Sequence, residues 1–136
     1  MEVITIPKWI VYIGEKDDSR KKLKRGKWMY FFENKEFVAE ICKKAIDEKI
    51  VSIAKHSDSE NGVSCFYING DDITAHKRVL EFFISNNLIE RCANGRFHNI
   101  SFKFDEQTRA GEYGDKFESK INLEQFIDLF TGEWKI

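Results

Sequence analysis

At 136 residues, with 42% apolar and 14% aromatic side chains, the chain can build one domain with a substantial core and is too apolar to be disordered. Its 22 basic and 23 acidic residues leave a formal charge of −1, which argues against duplex nucleic acid as the main partner. No apolar run approaches the length of a membrane span and no signal-peptide core opens the chain, so a cytoplasmic protein with no membrane partner is expected.

In chain order, Glu2 to Ile13 is rich in Val, Ile, Trp and Tyr and reads as a strand, with Pro7 implying an edge position or a break. Gly14 to Gly26 is dense in charge and has almost nothing to bury, which favours a solvated loop over a phosphate-binding basic arm; Arg20 to Arg25 is its most basic part. Lys27 to Phe32 is almost continuously apolar and predicts a strand covered on both faces. Asn34 can cap the helix that follows, whose stripe is Phe37, Val38, Ile41, Cys42 and Ala45.

Ile50 to Lys55 predicts a second core strand, running into His56, Ser57 and Asp58. Asn61-Gly62 marks a turn, and Val63 to Ile68 returns as the antiparallel partner. Asp71 or Asp72 caps a second helix to about Asn87, with Ile73, Val79, Leu80, Phe83 and Ile84 on its apolar face and His76 facing solvent. Leu88 to Arg91 predicts a short strand, and Asn94-Gly95 a hairpin into the next. Ile121 to Phe130 reads as helical, with Leu123, Phe126, Ile127 and Phe130 inward and Trp134 packing its end. Hairpins alternating with helices predict a single α+β domain over 1–136, a mostly antiparallel sheet with helices on one face.

Arg96 to Gly114, RFHNISFKFDEQTRAGEYG, holds the densest chemistry. Ile100, Phe102 and Phe104 alternate with Asn99, Ser101, Lys103 and Asp105, so one face is built for a core and the other for water or a ligand. That polar face leads into Gln107, Thr108, Arg109 and Tyr113, in a loop with two glycines. The three cysteines, Cys42, Cys65 and Cys92, are far apart and lack zinc spacing, so they read as reduced, buried thiols with no metal. P-loop, dinucleotide and nucleophile-elbow motifs are missing. What remains are cations at strand ends, Lys27, Lys55, Lys103, Arg96 and Arg109, with His56 and His98. If several converge they make an anion site, Arg gripping bidentately and Lys acting as a point charge.

KWMYFF before a helix, the AKHS strand end, the CFYINGDD–helix join and SFKFDEQTRAGEYG resemble a bacterial and phage family described as a phosphothreonine lyase domain. The chain is also distantly similar to the basophilic leukaemia-expressed proteins, which share the fold of the translation-initiation cap-binding protein. The resemblance spans roughly Lys27 to Gly114. It implies a curved antiparallel sheet backed by helices, with a concave face for nucleotide-like ligands. For a lyase it implies Lys55 or Lys103 as base, His56 or His98 as acid, and Arg96 and Arg109 as the phosphate clamp.

The expected function is binding of a small phosphate-bearing ligand, nucleotide-like or a phosphoamino acid or phosphopeptide, through Lys103, Asp105, Gln107, Thr108, Arg109 and Tyr113. A phage-encoded nucleotide sponge or inhibitor of host defence is one version. The alternatives are a β-eliminating phosphothreonine or phosphoserine lyase using Lys55, His56 and Lys103, and a non-catalytic protein-interaction module. No cofactor is expected, and a homo-oligomer is left open.

Overall fold

A computed structural model describes residues 1–15, 24–113 and 117–136. Most of the basic loop, and Gly114, lie outside the described residues. No helix among the described residues is long and apolar enough to cross a membrane.

Strands β1 (Glu2–Ile6) and β2 (Trp9–Ile13) form a hairpin. The break falls at Pro7-Lys8, where Lys8 takes a positive φ of 73°. The proline therefore sits where no ladder bond is needed. Strand β3 (Arg25–Phe32) leads into helix α1 (Lys35–Asp47), capped by Asn34, whose side-chain oxygen accepts from the Phe37 amide at 2.9 Å. Strands β4 (Ile53–Ser57) and β5 (Gly62–Asn69) follow, then helix α2 (Ile73–Ser85), capped by Asp72. Strand β6 (Ser101–Phe104) runs straight into the short helix α3 (Asp105–Arg109), and β7 (Ile121–Asn122) completes the sheet.

The fold is α+β. Among the described residues, seven strands join one antiparallel sheet in the order β1-β2-β4-β5-β3-β6-β7. Helices α1 and α2 supply apolar stripes to one face, where Tyr12, Trp28, Phe32, Ala54, Phe66, Ile68 and Phe102 meet them in the main core. Trp28 sits at its centre, edge-on to His76, Phe102 and Phe126. Gly26 lets β6 come close: a Cβ there would lie 2.5 Å from the Phe102 ring and 2.6 Å from the Lys103 carbonyl oxygen.

Several sequence expectations need correction. Strand β3 is not covered on both faces throughout: Phe31 is 71% exposed, and Lys27 and Met29 share its side of the sheet. The α2 stripe is rotated, burying Ala75, His76 and Phe82 while Ile73 is exposed. His76 is drawn inward because it finds two partners there: its Nδ1 accepts from Trp28 Nε1 at 3.0 Å and its Nε2 donates to the Gly70 carbonyl at 2.8 Å. Phe37, expected in the α1 stripe, is exposed beside Tyr30.

Leu88 and Ile89 are buried, but the hairpin around Asn94-Gly95 shrinks to one bridge, Arg91 with Phe97. The tail is not a long helix. After a 3₁₀ turn over Leu123–Gln125, Asp128 accepts from the amides of Phe130 and Thr131, turning the chain and leaving Phe130 exposed. Local Asp turn chemistry overrode the helical period there. Leu123, Phe126 and Ile127 are buried as expected, and Trp134 packs on the core and bridges Ile127. The cysteines are all free; Cys42 and Cys65 are buried, whereas Cys92 is only half-buried.

Candidate functional site

The sheet face away from α1 and α2 holds a second, smaller apolar cluster of Ile53, Cys65 and Tyr67 with Val11, Met29 and Val63. Around it the register collects cations. Lys27 stands opposite both Tyr67 of β5 and Lys103 of β6, and Lys55 of β4 stands opposite Cys65. Because directly paired residues share a face, strand pairing alone places the three lysines on one side. Arg25, two residues before Lys27, joins them.

Each cation lies against an aromatic ring. Lys55 Nζ is 3.9 Å from the centroid of Trp9 and 5.8 Å from that of Tyr67. The Arg25 guanidinium lies 4.5 Å from Tyr67, and Lys27 Nζ 5.7 Å from the same ring. Lys103 Nζ is 4.0 Å from the Tyr113 centroid and 5.4 Å from that of Phe117. Such contacts stabilise a cation by about 0.5–1 kcal/mol at exposed sites, well short of what its lost hydration costs.

Carboxylates are scarce. Asp105 binds Arg25 at 2.8 Å and lies 3.9 Å from Lys27, whose Nζ also donates to Thr108 Oγ1 at 3.2 Å. Among the described residues, Lys55 and Lys103 have no carboxylate within ion-pair reach. Lys27 and Lys103 are nevertheless only 8% and 7% exposed. Burial, and then the Lys27 charge, pull the Lys103 ammonium below the ordinary lysine range; burial likewise lowers Lys55. Burial raises the Tyr67 phenol and the Cys65 thiol, so neither supplies an anion at neutral pH. Among the described residues, four cations thus gather where Asp105 is the one carboxylate within ion-pair reach, with Glu112 acting on Lys103 from farther off.

No protein-family model, curated protein or solved structure matches this chain. The site therefore stands on its own geometry.

Of the residues singled out from sequence, Lys27, Lys55, Lys103, Asp105, Thr108 and Tyr113 come together on this face. Gln107 does not join them. It is 1% exposed, its Oε1 accepts from the Phe104 amide, and its Nε2 donates to the Glu118 carbonyl, so it ties the loop together. Arg109 is exposed at the end of α3, and its side chain makes no ion pair or hydrogen bond among the described residues. The guanidinium on this face is that of Arg25, bound to Asp105 and lying over Tyr67.

His56 is separated from Lys55 by the pleat, because adjacent residues on β4 face opposite sides. It is 1% exposed on the helix side, where its Nε2 accepts from the Tyr12 hydroxyl at 3.0 Å and its Nδ1 donates to the Ser57 carbonyl at 2.9 Å. His98, 4.0 Å from Glu90, and Arg96, 3.9 Å from Cys92 Sγ, line a different groove of about 520 Å³ beside Met29–Phe31.

Arg25, Trp9, Tyr67 and Phe117 are the site residues that sequence reasoning missed. By sequence Arg25 falls in the charged loop, and Trp9 and Tyr67 read only as strand residues, although Tyr67 shares a side with Cys65 and Val63, away from Phe66 and Ile68.

Proposed function

We propose that the chain binds a small phosphate-bearing ligand on this sheet face, held by Arg25, Lys27, Lys55 and Lys103. The observation that carries the reading is the set of desolvated, like-charged ammonium groups, two of them with no carboxylate in reach among the described residues. Holding them together costs stability that an anion would recover. Arg25, already oriented by Asp105, supplies a planar fork for phosphate oxygens, and the lysines supply point charges. The flanking rings suit a nucleotide-like ligand, whose base stacks on an aromatic face.

Binding is favoured over β-elimination by the positions of the histidines. Elimination needs a base and an acid arranged around one substrate. Lys55 or Lys103 is placed to serve as base, but His56 is sealed in the helix-side core and His98 lines the other groove. Sequestration of a nucleotide is the activity this arrangement supports.

Thermal unfolding against a panel of phosphate, pyrophosphate, nucleotides and phosphopeptides tests the proposal. A ligand at a hundred times its Kd stabilises the folded state by about 2.7 kcal/mol, and so raises Tm by roughly 10 °C in a chain of this size. The mass of the recovered ligand should be unchanged after incubation. No shift with any phosphate compound would refute the proposal, and release of phosphate with an alkene product would replace it with a lyase.

A further inference from the structure

The cations and rings of this face are organised as a line. It runs from Trp9 on β2 through Lys55, the flat floor of Tyr67, Lys27 and Lys103 to Tyr113 beyond β6. From β2 to β6 the sheet order steps through β4, β5 and β3, four strand spacings, or about 19 Å. The two ends are rings and the middle is charge. Tyr67 is 5% exposed and can only be a floor, whereas Tyr113 is 60% exposed and Trp9 half-buried, so the end rings have surface to offer.

We infer that the ligand is a dinucleotide, two bases joined through a phosphate or pyrophosphate, with one base on Trp9, the other on Tyr113, and the bridge over the lysines. The inference rests on the phosphate-binding reading and narrows its ligand class. A mononucleotide carries its base and phosphates at opposite ends, so it covers one ring and the nearest cations and leaves the other ring bare. A long single strand is disfavoured by charge, because the 22 basic and 23 acidic residues nearly cancel over the whole protein. In the free protein Lys55 and Lys103 rest on the two end rings. A bridging phosphate would draw both lysines inward and uncover both rings together, coupling the two base contacts to one charge contact.

Isothermal titration of the full chain with pyrophosphate, ADP, GDP, diadenosine and diguanosine pyrophosphate, and a ten-residue oligothymidylate at one salt concentration tests this. One added base stack should make a dinucleotide bind about tenfold tighter than its mononucleotide. Trp9→Ala and Tyr113→Ala should each reduce that preference to within about threefold. Trp9→Phe should keep most of it, which separates ring loss from misfolding.

Pyrophosphate and mononucleotides that bind as tightly as the dinucleotides would overturn the inference and leave phosphate binding standing. Trp9→Ala weakening pyrophosphate as much as dinucleotide, or the oligothymidylate binding tightest, would also overturn it. Binding by none of the six compounds would overturn the inference, and the absence of a thermal shift with phosphate and phosphopeptides as well would overturn the phosphate-binding reading.

Discussion

Lys103→Met asks the most direct question of the site, because it removes one ammonium and keeps the length of the side chain. Lys103 stands directly opposite Lys27, and both are nearly buried. For like charges roughly 6–10 Å apart at an effective dielectric of about 20–40, the repulsion is about 1–3 kcal/mol. The cation–π contact with Tyr113 is worth about 0.5–1 kcal/mol and is lost in the variant, while the thioether retains its contact with the ring. The free protein should therefore gain about 1–2 kcal/mol, a rise in Tm of roughly 3–8 °C by circular dichroism. The same variant should lose ten- to a hundredfold in pyrophosphate affinity, since a charge-assisted contact contributes about 1.5–3 kcal/mol. Stability and binding thus move in opposite directions, which a residue kept for packing would not show. A Tm lowered by several degrees with pyrophosphate affinity unchanged would refute the reasoning.

Three further outcomes follow from the core and the sheet. His76→Leu strands both Trp28 Nε1 and the Gly70 carbonyl, so it should cost about 2–5 kcal/mol in urea unfolding; a loss under about 1 kcal/mol would contradict the pairing. Burial holds His56 and His76 below the ordinary histidine value of about 6.5, so the unfolded chain binds their protons first as pH falls. Their contribution is complete above about pH 6.5 and is lost progressively below it, so the urea midpoint should drop between pH 7.5 and 5.5; equal midpoints would count against two buried neutral imidazoles. Gly26→Ala should cost about 1–3 kcal/mol, because the new methyl meets a buried ring and a backbone oxygen, and a variant as stable as the parent would show that β6 can move aside.

The helix caps at Asn34 and Asp72, the β5 strand and the break at Pro7 were legible because each depends on residues within a few positions of one another. The alternation of Phe102 and Phe104 with Lys103 likewise placed Lys103 on the face away from the core, since the pleat leaves no other choice. Local rules failed where a distant partner decided. His76 looked solvated until Trp28 and Gly70 supplied its two hydrogen bonds, and Gln107 looked like a ligand contact until Glu118 gave it a structural one.

The sequence by itself determined that there would be an antiparallel sheet with helices on one face, and that Lys103, Asp105, Thr108 and Tyr113 would lie close together, because they are neighbours along one strand and its loop. Only the tertiary structure decided that Lys27 would face Lys103, that Lys55 would leave His56 behind on the core side, and that Arg25, rather than Arg109, would meet Asp105. Those juxtapositions depend on strand order and register. Both are set by how whole faces bury against the helices, and a one-residue slip in either would have sent every side chain of a strand to the other side.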